Sequence, residues 1–213
     1  MRVGRKFKMP PAVTQLVTRA GSRIIEEEAP AATSPLTLPE ALDFLDAMWR
    51  LAFGKNRRQV RPSTFADPAG LVGTAESVDQ FEVGIGDLGD TLDRFSVADD
   101  LLPEEESLTP VSGSLNRLPA VLRSREATDS DTVDRAVATL QSVRGLRHSH
   151  ARNGAAGDRP RILGDLGLSE FASDWQALWD GVRTRTVVAL LVLRTQVRRL
   201  AESSDAPPEI QQP

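Results

Sequence analysis

The sequence predicts an all-α fold: a helical bundle of four to five main helices with a long closing C-terminal helix. Three observations carry this reading. Apolar residues recur at spacings of three and four along most of the chain, the period of a buried helical stripe. Tyrosine is absent and aromatics make up only 5% of the 213 residues, whereas sheets favour aromatic and β-branched side chains. The C-terminal third keeps one continuous apolar face from Trp175 to Leu200.

A chain of 213 residues holds one large domain, or one domain with long loops. The pattern divides it into a basic arm, short helix and linker (1–35), a single helical bundle domain (36–202) and a polar, proline-rich tail (203–213) expected to be disordered. Cysteine is absent, which excludes disulfides and thiolate chemistry and fits a cytoplasmic location. The basic N-terminus lacks an apolar core, so no secretory signal is expected. The longest apolar run, Val187–Leu193, has seven residues, against about 20 for a membrane span. No membrane is expected as a partner.

Taken in order, Val13, Leu16, Val17, Ala20 and Ile24 suggest a short helix, weakened by Gly21. Thr37 and Glu40 then spell a capping box, the start of a helix whose broad apolar face runs from Ala41 to Phe53. Gly54 is a good stop. A basic loop and a Pro/Gly-punctuated stretch follow, to Gly73. Val78, Phe81, Ile85, Leu88, Leu92 and Phe95 form a heptad seam, which predicts a helix from about Thr74 to Val97. Residues 99–110 read as an acidic loop. Leu115, Leu118, Val121 and Leu122 suggest a short helix interrupted or started by Pro119. Residues 130–152 read as an amphipathic helix that ends at Gly154–Pro160, and 161–168 as a small apolar connector.

In the last helix the Val187–Leu193 run is apolar on all sides. One buried stripe does not explain it, so the run belongs at the bundle centre or in a dimer interface.

Gly84, Gly86 and Gly89 spell GIGDLG, a literal match to a dinucleotide-binding fingerprint. That fingerprint needs a strand before it and a helix that begins at it. Here a heptad seam runs straight through, and Asp87 and Asp90 stand where a pyrophosphate would bind. No cofactor is expected.

The segment Ser130–Gly154 carries the most chemistry. Val133, Ala136, Val137 and Leu140 share one helical face. Arg144 and Arg147 fall within roughly 40° of the direction set by Leu140. Two permanent charges therefore stand where the pattern asks for apolar residues, and such cations need partners. Beside them are His148 and His150, the chain's two histidines. About 200° separates residues two apart on a helix, so this pair cannot share a metal there, and no metal site is expected.

The partner for the arginines is either a carboxylate, with Asp43, Asp46 or the acidic helix as sources, or a phosphate. Charge is segregated: residues 76–106 hold eleven Asp/Glu against one Arg, and residues 144–199 hold ten Arg against five Asp/Glu. The basic half can meet nucleic acid, the acidic half of its own chain, or a dimer mate.

The words VRGLRHSHARNG, then LGDLGL, then the long closing helix DWQALWDGVRTRTVVALLVLRTQVRRLA resemble the HEPN group of helical domains over roughly residues 37–202. The hallmark of that group is an Arg, four to six residues, then a His, at the end of the penultimate helix. The resemblance implies a homodimer or a subunit of a larger complex. It also implies metal-independent RNA cleavage in a toxin–antitoxin or antiviral setting. Two registers fit. Arg144 with His150 keeps the spacing, but Gly145 stands where the family has a polar residue. Arg147 followed by His148 restores that residue, but its histidine position then falls on Arg152, Asn153 or Gly154.

The candidate catalytic set is therefore Arg144, Arg147, His150 and Asn153. His150 would move a proton, the arginines would clamp the phosphate, and Asn153 would orient either one. Arg152, Arg159 and Arg161 would extend an RNA contact. Two alternatives stand beside this reading: a catalytically inactive interaction or regulatory subunit, and nucleic-acid binding without cleavage.

Overall fold

The computed structural model describes residues 37–54, 68–103, 114–125, 129–150, 158–169 and 174–204. All belong to the compact unit Ala32–Pro213. The N-terminal arm, its short helix, and the tail from residue 205 lie outside the described residues.

Most of the described residues are helical, and there is no strand among them. Seven α-helices follow in order: α1 (Thr37–Phe53), α2 (Pro68–Val72), α3 (Val78–Asp93), α4 (Ser114–Arg123), α5 (Ser130–His150), α6 (Asp158–Asp165) and α7 (Trp175–Ser204). A 3-10 turn, Asp99–Leu101, lies between α3 and α4.

The 30-residue α7 is the element on which the bundle is assembled. α1 makes the most extensive packing against it, α5 packs on it next, and α3, α4 and α6 all pack on α5. α1 buries Leu38, Ala41, Leu42, Leu45 and Trp49 at spacings of three and four. The core unites these with Leu88 and Leu92 of α3, Leu118 and Leu122 of α4, Val133, Val137, Leu140 and Val143 of α5, and Trp179, Leu190 and Leu193 of α7.

The apolar run of α7 is mostly covered within the chain. Val187, Ala189, Leu190 and Leu193 are buried, and Val188, Leu191 and Val192 are half-buried. The bundle-centre alternative accounts for it. No described helix is long and apolar enough to cross a membrane.

Boundaries differ from the sequence pattern in three places. α3 begins only after Ser77, whose hydroxyl accepts from the Gln80 amide at 3.3 Å, and it stops at Asp93. Phe95 and Val97 continue the apolar pattern and are buried, but in non-helical backbone. Residues read as a connector form the C-terminal part of α6. Its end is a Schellman motif: the Gly167 amide donates to the Gly164 carbonyl at 2.9 Å and the Leu168 amide to the Leu163 carbonyl at 2.8 Å. Gly167, at φ +67°, takes the left-handed position the motif needs. Finally, Pro119 lies inside α4.

The glycines of α3 have packing reasons. A Cβ at Gly84 would stand 3.1 Å from the indole of Trp179, and one at Gly89 would stand 2.7 Å from Cδ of Arg147. Gly84 thus lets α7 bring its tryptophan close, and Gly89 lets an arginine of α5 lie across α3. The helix passes unbroken through all three glycines, with no strand before them. The fingerprint's required context is absent there.

Candidate functional site

The arginine pair of α5 meets the acidic helix of its own chain. α5 carries Arg144 and Arg147 one turn apart, and α3 carries Asp90 and Asp93 at the same spacing. Asp93 uses both oxygens: one accepts from Nε of Arg144, the other from Nη1 of Arg147 at 2.7 Å. Arg147 spends its second terminal nitrogen on Asp90 at 2.6 Å. Three ion pairs therefore join four residues across the α3–α5 contact.

Gly89 makes this possible by clearing the surface on which the Arg147 stem lies. Gly145 keeps the other side low, where a Cβ would just touch Ile162 of α6 at 3.4 Å. The four side chains are 29–40% exposed. The network is half-buried, with a solvent-facing edge.

The remaining candidates do not converge on it. Arg161 pairs within α6, with Asp165 at 3.2 Å and Asp158 at 3.7 Å. Arg159 lays its guanidinium over Phe81 at 5.2 Å and over Trp175 at 5.5 Å, a cation–π seat. α5 stays helical through His150. Six residues of helix turn position 150 about 120° away from position 144 and raise it about 9 Å. Positions 147 and 150 lie on adjacent turns. The side chains of His148 and His150 are outside the described residues, as are Arg152 and Asn153 entirely.

Sequence reasoning pointed to the acidic helix as one carboxylate source without naming Asp90 and Asp93. Of the two individual residues it named, Asp46 pairs instead with Arg50 at 3.5 Å, and Asp43 is exposed. The matching i, i+3 spacing of Asp90/Asp93 and Arg144/Arg147 was the available signal.

A second polar cluster seats α7. The Trp179 indole N–H donates to the Gly73 carbonyl at 3.0 Å, and the Ala75 amide donates to Oε1 of Gln176 at 2.7 Å. Arg183, only 6% exposed, pairs with Asp180 and stacks over Trp179 at 5.3 Å. Beside it a groove of about 300 Å³ opens between Gly70, Gly73, Asp79, Val83 and Gly84. Among the described residues, no three His, Asp or Glu cluster as metal ligands would.

No family model, curated protein or solved structure matches this chain.

Proposed function

We propose that this chain is a non-catalytic helical interaction subunit built on a HEPN-like plan. One observation carries the reading: Arg144 and Arg147 are already held by Asp90 and Asp93. A phosphate clamp needs guanidinium edges that an incoming phosphate can take. Here both terminal nitrogens of Arg147 and Nε of Arg144 are taken by carboxylates that also fix the α3–α5 packing. The helical path to His150 adds support, since it turns that position away from Arg144. In the Arg147 register the histidine position falls on Arg152, Asn153 or Gly154. The defence or toxin–antitoxin setting follows from the resemblance alone, with the protein as a regulator or complex subunit.

The test is incubation of purified full chain with a mixed structured RNA in EDTA, beside Arg144→Ala and His150→Ala. The RNA is expected to stay intact with all three proteins. Asp93→Asn and Arg147→Ala should each lower the unfolding free energy by about 1–2 kcal/mol, the scale of a charge-assisted hydrogen bond in a half-buried network. Cleavage by the wild type that both variants lose while remaining folded would overturn the proposal.

That outcome would establish the second reading, a metal-independent endoribonuclease. What favours it is that Arg147 and position 150 occupy adjacent turns, with 36% of the Arg147 side chain open to solvent. Binding without cleavage would show instead as RNA affinity that falls steeply with salt.

A further inference from the structure

α1 has two faces. One packs on α7. The other carries Glu40, Phe44, Ala47 and Leu51, a stripe with spacings of four, three and four, and all four residues are exposed. Phe44 is 53% exposed, with the Arg194 guanidinium of α7 over one side of its ring at 5.8 Å, and Leu51 is 69% exposed. They stand one heptad apart with a small residue between them, the spacing of a helix–helix seam. A solvated helix face ordinarily carries charge at such positions.

The charges flanking the seam say what fits it. Glu40 and Asp43, both exposed, lie towards the N-terminal end of α1, and Arg50 lies in its last turn. The Arg50 side chain is 37% exposed, and its contact with Asp46 is long, at 3.5 Å. A second α1 laid antiparallel, with the two-fold axis at Ala47, brings Phe44 of each copy within one residue, about 1.5 Å along the axis, of Leu51 of the other. It brings each Arg50 within the same offset of the other copy's Asp43, and it opposes the two helix dipoles. A parallel pairing would set Glu40 against Glu40. The small side chain at the axis lets the helices approach to about 8–10 Å.

We propose that the outer face of α1 is a self-association surface, occupied by α1 of a second copy in an antiparallel, isologous pair. This deepens the interaction-subunit reading by naming a partner. It does not depend on the chemistry of Arg144 and Arg147, so RNA cleavage would sink that reading and leave this one standing. One helix pair buries less than the ~1,600 Å² of a standard interface. The dimer should therefore dissociate on dilution.

Sedimentation velocity of the full chain over a concentration series tests this. The wild type is expected to pass from monomer to dimer as concentration rises. Leu51→Glu and Phe44→Glu should weaken dimerisation by at least about tenfold, with circular dichroism unchanged because both side chains are exposed. Arg50→Glu should weaken it as well, and adding Asp43→Arg to Arg50→Glu should restore it, since each copy then offers the reversed pair. A monomeric wild type overturns the proposal and leaves the seam to a helix of another protein. A dimer indifferent to Leu51→Glu overturns it too, and failure of the charge swap to rescue Arg50→Glu overturns the antiparallel geometry.

Discussion

Gly84, Gly86 and Gly89 lie within six residues of one helix but face different neighbours. A Cβ at Gly86 would meet nothing within 4 Å. Gly86→Ala should therefore stabilise the protein by about 0.5–1 kcal/mol, the helix-propensity gain alone. At Gly84 the same methyl meets three indole atoms of Trp179 at 3.1–3.2 Å. That ring is 1% exposed and tied to the Gly73 carbonyl, so it cannot easily retreat. Overpacking of this kind costs about 1–3 kcal/mol, which outweighs the propensity gain and makes Gly84→Ala destabilising. At Gly89 a methyl would stand 3.0 Å from the Cβ of Arg147, pushing its stem off α3 and loosening both carboxylate contacts. Urea midpoints of the three alanine variants check this ordering. Equal stabilisation by Gly84→Ala and Gly86→Ala would show that the indole yields. At this scale the sequence was half legible. It marked Arg144 and Arg147 as charges out of pattern. It did not single out Asp90 and Asp93 as their partners, because a stripe shows which face of a helix is buried but not which helix covers it.

At the scale of the element, the start of α5 shows how a terminus is fixed. Asp129 precedes the helix, and its carboxylate accepts from the Thr132 amide at 3.2 Å and the Thr132 hydroxyl at 2.8 Å. Its own amide donates to Oε1 of Gln196 at 3.1 Å, tying this end of α5 to α7. The Thr132 hydroxyl, then the Thr132 amide, hold the Asp129 carboxyl below its ordinary value of 3.8. A carboxyl lowered on folding contributes stability that is complete above its unfolded pKa and fades as pH falls through its folded pKa. Acidification below 3.8 should therefore remove the Asp129 contribution. Asp129→Asn keeps a capping oxygen but does not titrate. Its melting temperature should approach the wild-type value as pH drops through that window. A gap between the two proteins that stays constant across it would show that the cap carries no charge-dependent stability. Elements with long stripes, α1, α5 and α7, were readable from spacing alone. α6 was not, because Pro160 and the surrounding glycines read as breakers. Proline is tolerated in a first turn, where its missing N–H has no partner to lose. α2 is five residues long, shorter than any period can reveal.

At the scale of the whole described unit, the segregated charge closes on itself at one place, where Asp90 and Asp93 take Arg144 and Arg147. Asp99–Arg117 and Asp134–Arg123 add joints outside the basic half, whose Arg161, Arg183 and Arg198 pair within their own helices. Three of the sequence's possible destinations for the basic half were nucleic acid, a dimer mate and its own acidic half. The last accounts for the two arginines that stand out of pattern. The same joints bind the long helices into one core, in which α5 touches α3, α4, α6 and α7. Such an arrangement should unfold as a unit, because α3, α4 and α6 lose their main packing partner, and α7 one of its two, once α5 leaves. The tryptophans make this measurable. Trp49 reports on α1, and Trp175 and Trp179 report on α7, whereas α5 has none. Denaturant curves followed by tryptophan fluorescence and by far-ultraviolet circular dichroism should share one midpoint. Leu140→Ala, at a fully buried position of α5, should destabilise by about 2–5 kcal/mol and move both curves equally. If fluorescence kept its wild-type midpoint while the dichroism curve shifted, α1 and α7 would form a separately stable pair. The α3–α5 ion pairs would then hold a second layer together instead of the whole bundle.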